Sequence, residues 1–67
     1  MMGKQVGKTA KGNTYIILQD SPTTFHMSVQ YNNIVSYDFI ENPSSVDELH
    51  MRITELETEL ESKINTI

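Results

Sequence analysis

The feature that most constrains this chain is a change of hydrophobic period at Asn42-Pro43. Before it lie short β-prone runs, one of them strictly alternating; after it, apolar residues recur at helical spacing. Thr24 to Tyr31 alternates strictly, with Phe25, Met27, Val29 and Tyr31 on one side and Thr24, His26, Ser28 and Gln30 on the other. Beyond Pro43, Ser45-Val46-Asp47-Glu48 has the pattern of a capping box, and Val46, Leu49, Ile53, Leu56 and Leu60 follow steps of three and four. In such a box Ser45 accepts from the amide of Glu48, and Glu48 reaches back to the amide of Ser45. Asn before Pro is pushed out of helical geometry, so the sheet ends and a helix starts within four residues.

The fold class expected is therefore α+β: an antiparallel meander of three or four strands followed by one long C-terminal amphipathic helix, in a homo-oligomer. One domain spans residues 1–67, with a basic N-terminal segment or weak strand over 1–12, the sheet over 14–40 and the helix over 45–66. The first β-prone run, Gln5 to Thr9, is weak, and Thr14 to Gln19 is a stronger strand. Its continuous run Tyr15-Ile16-Ile17-Leu18 suggests burial on both faces or a central place in the sheet. Turn chemistry is supplied by Ala10-Lys11-Gly12-Asn13 and by Asp20-Ser21-Pro22-Thr23.

The register of the last hairpin is decided here by facing. A two-residue Asn32-Asn33 turn would set Val29 opposite Ser36 and Met27 opposite Asp38, placing polar groups against the core. A three-residue loop Tyr31-Asn32-Asn33, with Asn33 left-handed, pairs Val29 with Val35, Met27 with Tyr37 and Phe25 with Phe39 instead. The second is expected. It puts Val35, Tyr37 and Phe39 on the core side and leaves His26 beside Asp38, and Ser28 beside Ser36, on a wet one.

The expectation of self-association comes from size. A chain of 67 residues without cysteine cannot use a disulfide, and a core this small is marginal alone. Read as heptads, the helix carries Val46, Ile53, Leu60 and Ile67 at one seam position and Leu49, Leu56 and Lys63 at the other, a pattern suited to a parallel two-stranded coil but broken at Lys63 and partly rescued by Ile64. Arg52 would then face Glu57 of a partner helix. A stripe of this length also exceeds what short strands need, so its distal part, from Leu56 on, would stay uncovered in a monomer. Leu49, Ile53, Leu56, Leu60 and Ile64 are the expected oligomer interface, although the same stripe could simply cover the sheet of its own chain.

Chemistry-bearing patterns are sparse. Gly3-Lys4-Gln5-Val6-Gly7-Lys8-Thr9 resembles a phosphate-binding loop but has three residues where four are required between the glycines, and no strand precedes it. Ser28, His26 and Asp38 lack a pocket and an oxyanion hole, so no catalytic set is assigned. Asp47 and His50 have the carboxylate-x-x-His spacing of bundle metal sites but no further ligands, so neither a metal nor a cofactor is expected. Five Lys or Arg stand against nine Asp or Glu, a net charge of −4 that disfavours nucleic acid.

The positive charge is nevertheless local: Lys4, Lys8 and Lys11 fall within the first 12 residues, while Asp47 to Glu61 is acidic. A captured anion such as a nucleotide would use Lys4, Lys8, Thr9 and Lys11, with Tyr15, His26 or Tyr31 available to contact a base. The lysines could equally pair with the acidic helix. The function expected is thus a small non-enzymatic binding protein that captures an anionic small molecule or blocks a host protein, as accessory or inhibitory proteins of phages and mobile elements do. An alternative is a structural or adaptor subunit that assembles through its helix. No run approaches the roughly 20 apolar residues that cross a bilayer, so a cytoplasmic location without a membrane partner is expected.

Overall fold

In a computed structural model that describes residues 3–66, the chain forms a four-stranded antiparallel sheet and one helix. The strands are β1 (Gly3–Lys8), β2 (Thr14–Gln19), β3 (Thr24–Tyr31) and β4 (Ile34–Glu41), joined as a meander in the order β1-β2-β3-β4, and α1 (Val46–Asn65) follows. The fold is the expected α+β meander, with all four strands present.

The helix covers one face of the sheet. Leu49, Ile53, Leu56 and Leu60 are buried against Ile17, Met27 and Val29, with Tyr15, Phe25, Ile34, Ile40 and Ile64 packed around them. The expectation that the stripe outruns its sheet is corrected here, since Leu56 and Leu60 have no exposed surface. The reason is strand length. β3 and β4 have eight residues each, about 27 Å at about 3.4 Å per residue, which nearly matches the roughly 30 Å of a 20-residue helix.

The helix starts where the sequence places it. Ser45 is extended and its hydroxyl accepts from the Glu48 amide at 3.3 Å. The reciprocal half of the box is displaced by one residue: Glu48 accepts from the Ser44 amide at 2.8 Å and the Ser44 hydroxyl at 2.9 Å, not from the Ser45 amide.

The hairpin register differs from expectation. Tyr31 pairs with Ile34, so the turn is the two-residue Asn32-Asn33, and Val29 faces Ser36 while Met27 faces Asp38. Asn32, not Asn33, takes the left-handed backbone, with φ 55°. A two-residue loop with positive φ matches the twist of the flanking strands, and Asn tolerates that region at little cost. The polar groups it turns inward are accommodated differently. Asp38 accepts from the guanidinium of Arg52. Ser36 is 1% exposed and its hydroxyl has no hydrogen-bond partner. Ile34 and Ile40, at the ends of β4, supply the apolar contact that the middle of the strand does not.

His26 consequently lies opposite Phe39 and Ser28 opposite Tyr37, with Asp38 and Ser36 on the other side of the sheet. The side-by-side His26 and Asp38 expected from the sequence do not occur.

Arg52 is a polar tie between layers, reaching Asp38 on β4 and Glu55 and Glu59 along its own helix. The Asp38 carboxyl is held below its ordinary value of 3.8 by the amide of Phe39 and then by Arg52. Glu48 is lowered too, by the amide and then the hydroxyl of Ser44. Groups whose folded-state pKa is depressed contribute stability above their unfolded values and lose it as pH falls through the folded ones. Thermal melting followed by circular dichroism should therefore show stability dropping below the ordinary carboxylate range, and Asp38→Asn should flatten that acid limb. Truncation of the fully covered Leu60 to Ala should cost about 2–5 kcal/mol in urea unfolding. Ser36→Ala should be neutral or stabilising by about 1 kcal/mol, because it removes an unpaired buried hydroxyl.

Candidate functional site

Two regions share the side chains that sequence analysis singles out. The first is the cleft between the β1–β2 turn and the helix, a hollow of about 410 Å³ lined by Lys8, Thr9, Lys11, Tyr15, His50 and Glu57 among others. Four of the seven expected ligand residues, Lys8, Thr9, Lys11 and Tyr15, meet there.

The turn is built to approach the helix. Gly12 takes φ 88°, the Gly12 amide donates to the Thr9 carbonyl and the Thr9 amide to the Asn13 carbonyl. The Thr9 hydroxyl accepts from the Asn13 amide at 3.1 Å and donates to the Glu57 carboxylate, which also receives the Asn13 side-chain amide at 2.6 Å. Glu57 is only 7% exposed, so these two donors replace the water it has lost. One turn further along, Lys11 contacts both carboxylate oxygens of Glu61 at 2.9 and 3.0 Å, and Glu61 raises the Lys11 pKa through that hydrogen bond and its charge. Tyr15 lies over Gly7, where a Cβ would fall 2.7 Å from its hydroxyl, and its ring meets His50 edge-on at 6.3 Å.

This cleft does not suit an anion. Lys11 is paired with Glu61, the buried Glu57 carboxylate faces the same space, and the polar groups of the cleft hold the hairpin to the helix. Arg52 and Glu57, expected to meet across a helix pair, are each engaged within the chain. Leu49, Ile53, Leu56, Leu60 and Ile64, expected between subunits, lie against the chain's own sheet.

The second region is the outer face of the sheet, turned away from the helix. Three rows cross it: Lys4–Leu18–His26–Phe39, Val6–Ile16–Ser28–Tyr37 and Lys8–Thr14–Gln30–Val35, with Thr24 and Glu41 beyond the first. Val6 and Tyr37 are each 57% exposed, Phe39 49% and Val35 45%. His26 sits between the two aromatic rings, near-parallel to Tyr37 at 5.9 Å and tilted to Phe39 at 6.0 Å. Its Nδ1 shares a hydrogen bond with the Tyr37 hydroxyl, and its Nε2 is 3.5 Å from the Asp20 carboxylate. Lys4 and Lys8 stand at the β1 edge. Among the described residues neither has a carboxylate partner, and Lys8 donates to the Thr14 hydroxyl at 2.9 Å. Tyr31, at the end of β3, borders a separate hollow with Lys11 and Glu61.

Val35, Tyr37 and Phe39 are absent from the expected site because the register assumed for the last hairpin turns these β4 residues inward, and Val6 because β1 is read from the sequence only as a basic segment or weak strand. The signal that could have found them is the run Tyr15 to Leu18, whose apolar residues alternate between the two faces and so imply cover on both. Among the described residues no cluster of three or more His, Asp or Glu could hold a metal ion, and no helix is long and apolar enough to cross a membrane.

Comparison with protein-family models, curated proteins and solved structures finds no match for the chain.

Removing the Thr9 hydroxyl should leave the buried Glu57 carboxylate short of one donor. Thr9→Val is expected to cost about 1–3 kcal/mol in chemical unfolding, and hydrogen exchange should show the β1–β2 turn opening first. Glu57→Gln, whose amide oxygen can still accept from both donors, should cost less.

Proposed function

We propose that this chain is a small non-enzymatic binding protein that acts by stoichiometric contact, with the outer face of its sheet as the working surface. The observation that carries this reading is the exposure of Val6, Val35, Tyr37 and Phe39 on one face, beside the half-buried Ile16 and Leu18. Four strands at about 4.8 Å by six residues at about 3.4 Å give the whole face a footprint of about 400 Å², with apolar side chains at six of the twelve positions in its three rows, and exposed apolar residues gathered on one face mark interaction sites. A chain with little apolar surface to spare has no structural use for this much of it in water.

The shape of the face favours a macromolecular partner over a captured nucleotide. Its hollow, lined by Ile16, Leu18, His26, Met27, Ser28 and Tyr37, holds about 160 Å³, against roughly 300 Å³ or more for a typical small-molecule pocket. The larger cleft under the hairpin carries the Glu57 carboxylate where an anion would sit. A flat, aromatic-rich surface with charge only at its rim fits the anatomy of a protein interface. Blocking another protein, or serving as a building unit, are the forms of action this surface supports; assembly through the helix stripe would first have to uncover side chains the sheet already covers.

Native mass spectrometry of the purified protein tests this reading, because it reports assembly mass and any retained small molecule together. The expected spectrum shows an assembly of protein mass alone that is lost in Tyr37→Asp. Retention of a nucleotide-sized anion that disappears on changing Lys4 and Lys8 to Ala would overturn the protein-contact reading in favour of ligand capture.

A further inference from the structure

Resting on that reading of the outer face, we infer that its occupant is a second copy of this chain, packed sheet on sheet about a twofold axis running parallel to the strands. The resulting unit is a four-layer dimer, helix–sheet–sheet–helix, whose inner layers form a second core.

Three observations lead there. The face carries Val6, Ile16, Leu18, Val35, Tyr37 and Phe39 interleaved with the polar outward residues of β3, His26, Ser28 and Gln30, and an identical face has the same outline, so the two can cover each other. That self-match is what an isologous interface requires. A footprint of about 400 Å² per side, about 800 Å² in total before side-chain relief is counted, is the scale of a weak, reversible dimer. The chain also has the deficit that such a dimer repairs, since a domain of this size buries too little surface alone and has no cysteine for a staple.

Charge selects the axis. The outer side of β1 carries Lys4 and Lys8, whereas the outer side of β4 ends in Glu41, level with the row next to that of Lys4. A twofold axis in the interface but perpendicular to the strands would lay β1 over β1 and bring lysines together. An axis parallel to the strands lays β1 over β4 of the second copy, so that Lys4 meets Phe39 and Glu41 there, an ion pair and a cation–π contact repeated by symmetry. It also lays β2 over β3, setting the side chains of Ile16 and Leu18 against Ser28 and His26. Aligned sheets cross at about −30°, which loosens the row-to-row match without exchanging the edges.

Analytical ultracentrifugation of the full chain at micromolar concentration provides the test, with circular dichroism to confirm folding. The wild type should sediment as a dimer and Tyr37→Asp as a folded monomer, because Tyr37 points away from the helix-side core. Lys4→Glu and Glu41→Lys should each weaken dimerisation by about tenfold, and the double reversal should restore it. A wild-type monomer overturns the inference and leaves the outer face as a surface for a different protein. A dimer that survives Tyr37→Asp overturns both the inference and the reading beneath it. A dimer lost in Tyr37→Asp but indifferent to the charge reversals overturns the axis parallel to the strands.

Discussion

The two-residue turn at Asn32-Asn33 is the constraint on which the rest of the molecule depends. Because side chains alternate across a strand, a shift of one residue there would exchange every position of β4 between the two faces. With Asn32 left-handed, Ile34, Ser36, Asp38 and Ile40 face the helix and Val35, Tyr37 and Phe39 face outward. Asp38 is then within reach of Arg52, which fixes the helix against β4. The outer face acquires its two aromatic rings in the same step. The apolar surface proposed as a contact site and the polar tie that secures the helix thus have one local origin.

A second, polar anchor works at the opposite edge. β1 offers the helix side only Gly3, Gln5 and Gly7, too little apolar surface to hold it by burial. Its attachment is made instead through the turn that follows it, where Thr9 and Asn13 satisfy Glu57 and Lys11 pairs with Glu61. The acidic stretch of the helix, which could be read as a solvated face or a docking surface, is here divided by direction. Glu57 is turned inward to organise the hairpin, Glu61 holds the turn from the side, and Glu55 and Glu59 accompany Arg52. Three of the nine acids, Asp38, Glu57 and Glu61, hold helix and sheet together, and the last of them is the partner of Lys11.

The unpartnered hydroxyl of Ser36 fits the same picture of a register set by the turn rather than by optimal core composition. An alanine there would bury no unpaired hydroxyl, yet the sequence places Ser36 between Val35 and Tyr37 and so sends the larger residues outward. The arrangement becomes economical when the outer face is itself covered, since Val35, Tyr37 and Phe39 then contribute to a second core instead of standing in water.

By itself the sequence determined the order of the elements, the start of the helix at Ser45, the strand alternation of Thr24 to Tyr31 and the apolar stripe from Leu49 to Ile64. These rest on local chemistry: a cap, a proline, a period. Part of the cleft was legible as well, in Lys8, Thr9, Lys11 and Tyr15, because neighbours in sequence stay neighbours in a hairpin. What only the tertiary structure decided was facing and partnership. β4 carries apolar residues on both sides, Ile34 and Ile40 against Val35, Tyr37 and Phe39, so its pattern is compatible with either register and the turn must choose. Glu57, Asn13 and Arg52 found partners 14 to 48 positions away, separations over which no periodicity reports. The stripe of the helix was visible from its spacing, but whether it met another helix or its own sheet depended on the lengths of β3 and β4, and those match the helix closely enough to cover it.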